Sequence, residues 1–309
     1  MKTVSTFGFF LAAGVLGTAS VAAGQAFSGL YVFGDSLSDV GNVNLASLGT
    51  LPGPGYDPQR FSNGILWTEY LADELAVARP TFSLGGGGSY AFGGATTGAG
   101  FGFPLIPRIG TQVNQYTAAG VDAGGLHVLW AGANDVIDSE ASFNATTYGA
   151  NVLGHLNTLY AAGARSFLVN NVPDLGLLPR YDGNPTLAAA ATTATGNLNA
   201  ALAGVLDTFE AANPDATLFR LDVAGLFDDL VADPSAFGLV NVTDPAFDDA
   251  TNTPLTTMPE TYLFWDETHP TTAAHRLLAL EAAAVIPEPA GLTLLACGLG
   301  MATRRRRAA

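Results

Sequence analysis

The chain has 309 residues, 48% hydrophobic and only 13% charged, with 27 acidic residues against 12 basic ones. That balance excludes a disordered chain, which lacks apolar side chains to bury, and argues against a nucleic-acid binder, whose surface must be positive. The only cysteine, Cys297, lies near the C-terminus, so the body has no disulfide, thiol nucleophile or cysteine-based zinc site.

Both ends read as processing segments. Residues 1–26 have the form of an export signal: Lys2, an apolar stretch from Phe7 to Leu16, and small residues from Ala19 to Ala26. At the other end Pro287-Glu288-Pro289 precedes an apolar run, Ala290 to Thr303, and then Arg304 to Arg307. As a helix that run covers about 21 Å, short of the roughly 30 Å hydrocarbon core of a bilayer. The 287–309 tail resembles the PEP-CTERM sorting signal of Gram-negative bacteria, which implies an exosortase-type processing partner; the alternative is an ordinary tail anchor. The two ends hold five of the 12 basic residues and one of the 27 acids, so seven arginines face 26 acids in the body, a net charge of −19. Such a surface favours solubility outside the cell and repels nucleic acid.

Between the ends, residues 27–286 are expected to form one domain. Leu30-Tyr31-Val32-Phe33, set between Gly29 and Gly34, reads as a first buried strand. It runs into Asp35-Ser36-Leu37-Ser38-Asp39, a small polar loop in which Ser36 either caps the next helix or stands at the carboxyl edge of a sheet. Between 62 and 77, Ile65, Trp67, Tyr70, Leu71 and Leu75 behind a polar cap, Ser62-Asn63-Gly64, predict an amphipathic helix. The glycine-dense stretch 85–102 centres on Ser89 to Thr97 and predicts a short strand with an ordered turn. A helix carrying Gln112, Val113 and Tyr116 precedes a second strand, Leu126 to Trp130, which ends at Ala131-Gly132-Ala133-Asn134-Asp135. Tyr148, Val152, Leu156 and Leu159 mark a helix, and Phe167-Leu168-Val169 a third strand closing near Asp174. An alanine-rich helix over 187–211 leads to a fourth strand, Leu218 to Asp222. Residues 223–259, acidic and punctuated by proline, read as a long connection with a helical turn or two. The chain then presents Asp266-Glu267-Thr268-His269-Pro270 and a final helix over 271–284. Strands alternating with helices imply a parallel sheet covered on both faces, an α/β/α sandwich in three layers.

That topology brings Ser36, Asn134 and Asp174 from three strand ends to one edge, with Asp266 and His269 arriving before the last helix. A serine nucleophile needs a base, the base needs an orienting carboxylate, and the developing oxyanion needs fixed donors. Asp266 and His269 leave one short loop, so the carboxylate can hold Nδ1–H while the opposite nitrogen takes the serine proton. The Ser36 and Gly94 N–H groups and the Asn134 amide are candidate oxyanion donors, with Gly93 the competitor to Gly94. Nothing in the chain calls for a cofactor or a catalytic metal. Asp228-Asp229, Asp244, Asp248 and Asp249 could bind calcium but read better as solvated loops. His127, His155 and His275 read as packing residues. No Gly-x-Ser-x-Gly surrounds Ser36, so the nucleophile elbow of α/β-hydrolases is not expected.

Four separated motifs in this order resemble the GDSL, or SGNH, lipases and esterases. Phe33 to Asn42 is similar to their serine block, Tyr90-Ala91-Phe92-Gly93-Gly94-Ala95 to their glycine block, Gly132-Ala133-Asn134-Asp135 to their asparagine block, and Asp266-x-x-His269-Pro270 to their terminal block. The resemblance covers most of 29–285 and is nearest the branch of bacterial phospholipases, haemolysin-like enzymes and plant GDSL lipases. It implies a flavodoxin-like fold and hydrolysis of an ester or lipid substrate. It makes Ser36 the nucleophile, His269 the base, Asp266 its orienter, and Ser36, Gly94 and Asn134 the oxyanion donors. A carbohydrate O-deacetylase or an acyltransferase would use the same residues, and a non-catalytic surface or matrix protein could keep the fold without turnover. Nothing signals oligomerisation, and a monomer in the periplasm, at the cell surface or outside it is expected.

Overall fold

In a computed structural model, which describes residues 26–102, 105–139 and 142–287, four apolar segments form the strands of the central sheet. They are β1 Leu30–Gly34, β2 Leu126–Trp130, β3 Ser166–Asn170 and β4 Thr217–Leu221, all parallel and side by side in that order. In register, Leu30 faces Leu126, Leu126 faces Ser166 and Ser166 faces Thr217. β2 and β3 are buried along their whole length, as expected for strands covered on both faces. The glycine-dense segment adds a fifth row. Val32 N donates to Gly88 O (2.9 Å), while Tyr90 N and Phe92 N donate to Val32 O and Gly34 O (2.7 and 3.1 Å). The row second in sequence thus lies outside the first, the order of a flavodoxin-like sheet, with its binding crevice at the carboxyl ends where the winding reverses.

Eight helices accompany the sheet among the described residues: α1 Asn42–Ala46, α2 Trp67–Glu74, α3 Ile109–Ala119, α4 Ala133–Ser139, α5 Ala145–Ala161, α6 Pro185–Ala212, α7 Val223–Ala232 and α8 Thr272–Val285. Side-chain parity assigns the faces. Phe33 packs on Tyr116 of α3 and Phe167 on Phe209 of α6, while Trp130, one position out of phase with that row, stacks edge-on against Trp67 of α2. The helices α3, α5 and α6 pack together, as do α2, α7 and α8, which gives three layers.

Two expectations change. The helix expected behind a polar cap at 62–64 begins at Trp67 with Leu66 as its N-cap, because those polar residues serve the other end of the chain. Ser62 Oγ donates to Pro270 O (2.9 Å) and Asn63 Oδ1 accepts from Thr272 N (2.8 Å). The acidic connection is more ordered than its composition suggests. Asp222 caps α7 by accepting from Gly225 N, which buries Leu226, Phe227 and Leu230, and β5 Asn241–Pro245 then pairs in parallel with β6 Tyr262–Phe264. The export and sorting segments read at 1–26 and 287–309 lie outside the described residues, apart from Ala26 and Pro287 at their edges. Among the described residues no helix is long and apolar enough to cross a membrane.

Candidate active site

The loop after β1 settles what Ser36 does locally. α1 starts six residues later, and its first N–H groups belong to Asp39: Oδ1 accepts from Gly41 and Asn42 (2.9 and 2.7 Å) and Oδ2 from Val43 (3.1 Å). Ser36 therefore caps nothing. Its hydroxyl lies 2.9 Å from His269 Nε2 across 233 positions of sequence.

His269 is held from behind. Its Nδ1 lies 2.7 Å from Asp266 Oδ2, and Asp266 Oδ1 accepts from the backbone N–H of Thr268 and His269, each at 2.6 Å. Since a carboxylate only accepts, Nδ1 carries the proton and Nε2 is left to accept from Ser36 Oγ–H. The loop is tied down by Trp265 N donating to His269 O (2.7 Å) and Thr271 N to Leu263 O (2.9 Å). Burial opposes charge on the imidazole, but the Asp266 carboxylate outweighs it and holds His269 above the ordinary histidine value. Burial likewise opposes the charged carboxylate, yet the imidazole, its N–H bonds and the Tyr56 hydroxyl keep Asp266 down at about 2.

The glycine and asparagine blocks meet beside the serine. Gly94 is exposed with φ +78°, a conformation glycine adopts without penalty. Gly93 N–H is spent on Asp39 Oδ2 (2.9 Å), whereas the N–H groups of Gly94 and Ser36 have no partner among the described residues. Asn134, at the start of α4, donates one N–H to Ala95 O (3.1 Å), which ties the asparagine to the glycine turn and leaves its second N–H free.

Asp174 does not join the site, because its carboxylate accepts from Gly176 N (2.8 Å) and Thr192 Oγ1 (3.0 Å) and caps a short 3₁₀ turn. None of the other histidines hydrogen-bonds to Ser36, Asp266 or His269. His127 bridges Tyr116 Oη and Ser166 O (3.0 and 3.1 Å), and His155 meets Thr97 O (2.6 Å). His275 is fully buried on α8 and burial drives it down to about 3. Sequence reading missed Tyr56, which donates to Asp266 Oδ2 (2.6 Å), and Phe61, whose ring lies 5.4 Å from that of His269. Both sit in a loop with no periodic pattern to mark them.

Two cavities share His269. One contains Ser36 and Asn134 and is walled by apolar side chains, among them Trp130, Ile137, Leu178, Phe227 and Phe264. The other is lined by Tyr56, Phe61, Phe247, Asp248, Asp249 and Glu267.

Fold and side chains define the class: an α/β sandwich with a Ser–His–Asp set at the carboxyl edge of its sheet. The chain belongs to the GDSL-like lipase/acylhydrolase family, whose sequence profile matches residues 30–282. It is 30% identical over 261 residues to the thermolabile hemolysin of Vibrio parahaemolyticus, covering 80% of this chain and 60% of that one. It is 26% identical over 317 residues to the phosphatidylcholine-sterol acyltransferase of Aeromonas hydrophila, covering 84% and 90%. Among solved structures, an acetyl xylan esterase variant from Geobacillus stearothermophilus aligns over 85% of this chain and 96% of its own, with 14% identity and a TM-score of 0.48. The chain spans three fifths or less of the hemolysin and of a Pseudomonas putida relative, 60% and 51% respectively.

Proposed function

We propose that this chain is an exported serine hydrolase that cleaves esters of apolar carboxylic acids through an acyl-serine intermediate. The observation that carries the reading is the unbroken run Ser36 Oγ–His269 Nε2, His269 Nδ1–Asp266 Oδ2, at 2.9 and 2.7 Å, opening into an apolar cavity. His269 takes the Ser36 proton as Oγ adds to the ester carbonyl. The new oxyanion meets the N–H groups of Ser36 and Gly94 and the free N–H of Asn134. His269 then passes its proton to the leaving alkoxide, and water repeats the sequence on the acyl-serine.

Because the proton leaves from Nε2, the alcohol departs on the imidazole side, and the acyl chain takes the apolar cavity. Each methylene moved from water into it is worth about 0.8 kcal/mol, roughly fourfold in kcat/KM. In a p-nitrophenyl ester series from acetate to palmitate, kcat/KM should therefore climb from acetate through butyrate to hexanoate before the cavity fills. A profile falling steadily from acetate would point instead to an O-deacetylase. Fluorophosphonate labelling mapped by peptide tests the nucleophile, and a label on any residue but Ser36 overturns it.

Removing one oxyanion donor costs about 10²- to 10³-fold in kcat. Asn134→Ala is expected to fall in that range with KM little changed. A loss confined to KM would mean that the amide binds ground-state substrate only.

Export rests on the apolar and small-residue pattern of 1–26 and on the Pro-Glu-Pro, apolar and arginine order of 287–309. N-terminal sequencing and intact mass of the protein recovered outside the cytoplasm test it, with loss of both ends expected.

A further inference from the structure

The phenol of Tyr56 sits where no part of the mechanism above requires one. Asp266 Oδ2 has two lone pairs. One accepts His269 Nδ1–H at 2.7 Å and the other accepts the Tyr56 hydroxyl at 2.6 Å, across 210 positions of sequence. With Thr268 N and His269 N on Oδ1, all four acceptor sites of the carboxylate are filled by protein.

The contact is built rather than incidental. The Tyr56 ring packs edge-on against Phe247 and Trp265, with centroids 5.7 and 6.4 Å away, and those two rings stack on each other at 4.9 Å. Phe247 lies so close to Gly55 that a Cβ there would come within 2.1 Å of its ring, at a φ of +89°. The acidic segment that carries Phe247 is in turn hydrogen-bonded to the strand leading into Asp266: Ala246 N donates to Phe264 O (3.0 Å) and Phe247 N to Trp265 O (2.7 Å). Two segments with no chemistry of their own thus hold one hydroxyl against the buried carboxylate.

We propose that Tyr56 is a positioning residue which sets the base strength of His269 by sharing Asp266 Oδ2 with it. A hydroxyl donated to that oxygen draws off part of the charge that would otherwise hold a proton on the imidazole, so His269 remains a free base at a lower pH than the carboxylate alone would permit. Every other titratable group facing the ring must be weighed beside it. Asp35, next to the nucleophile, and Asp249, which also faces the Tyr56 hydroxyl, both favour the imidazolium. His275, on α8, stays neutral. None of these three hydrogen-bonds to His269 or Asp266, so Tyr56 alone acts through the carboxylate oxygen that the imidazole uses. The role rests on the serine-hydrolase reading for its effect on turnover, but not for its effect on the proton.

Tyr56→Phe keeps the ring and its packing and removes only the hydroxyl. A hydrogen bond to a charged group is worth about 1.5 kcal/mol or more, close to one pKa unit. The acidic limb of kcat/KM should therefore move up by as much as about one pH unit. Below the limb the variant should lose about tenfold, and at alkaline pH it should converge on the parent. An NMR titration of the His269 ring in Tyr56→Phe should show the same upward displacement, and it reads the proton whether or not any ester is turned over. A limb and a ring titration that stay in place or move down, or a loss equal at every pH, would overturn the proposal. Upward displacement of the ring without turnover in either protein would leave the tuning intact and sink the hydrolase reading instead.

Discussion

Ser36→Ala is expected to lose ester turnover on the order of 10⁶-fold, to the level left by binding and oxyanion donors alone. The hydroxyl has one partner, His269 Nε2, and caps no helix, so its removal takes the nucleophile without loosening the loop. The melting temperature should stay within about a degree or two of the parent, since the change lies outside the mechanisms that destabilise a fold. His269→Ala should be comparably severe. The double variant should be no worse than either single one, because nucleophile and base act as a unit. Two losses that multiplied would mean that serine and histidine serve separate steps. Retained turnover in Ser36→Ala, measured on purified protein with p-nitrophenyl butyrate, would remove Ser36 from the chemistry.

What could be read in the chain ahead of its structure follows from how locally each feature is written. β1 and the serine turn are legible because an apolar run between glycines carries its own burial pattern, and Asp266 and His269 because three positions separate a base from its orienter. Gly94 could be singled out as a flexible position but not told from Gly93; that depends on Asp39, 54 residues away, taking the Gly93 N–H. Asp174 misled for the opposite reason. It stands at a strand end, as the site residues do, but a nearby N–H and Thr192 compete for its carboxylate. The ordering of 241–264 and the position of Tyr56 are tertiary facts. The first rests on the pairing of β5 with β6 and the second on aromatic stacking between segments nearly 200 residues apart, which no local periodicity records.

Asp266→Asn should cost up to about 10⁴-fold in kcat with the fold retained. An amide can still accept from Thr268 N and His269 N. In place of Oδ2, however, it presents an N–H to a histidine Nδ1–H and to the Tyr56 hydroxyl, and the imidazole is driven to the tautomer with its proton on Nε2. Facing Ser36, that nitrogen can no longer take a proton. The same change moves the pH dependence. In the parent, His269 lies above 6.5 because the carboxylate outweighs burial, so the acidic limb of kcat/KM should fall above 6.5. In Asp266→Asn only burial and the distant Asp35 and Asp249 remain, and the limb should move down, opposite to the displacement expected for Tyr56→Phe. Stability follows with its own signs. His269 is raised, so its contribution is fully present below 6.5 and is lost as pH rises through the raised value. Asp266 is depressed from 3.8 to about 2, so its contribution is present above 3.8 and is lost as pH falls towards 2. Melting temperatures measured across both windows should show the two steps in the parent and neither in Asp266→Asn. An acidic limb left in place by that substitution would mean that the histidine draws its basicity from a group other than Asp266.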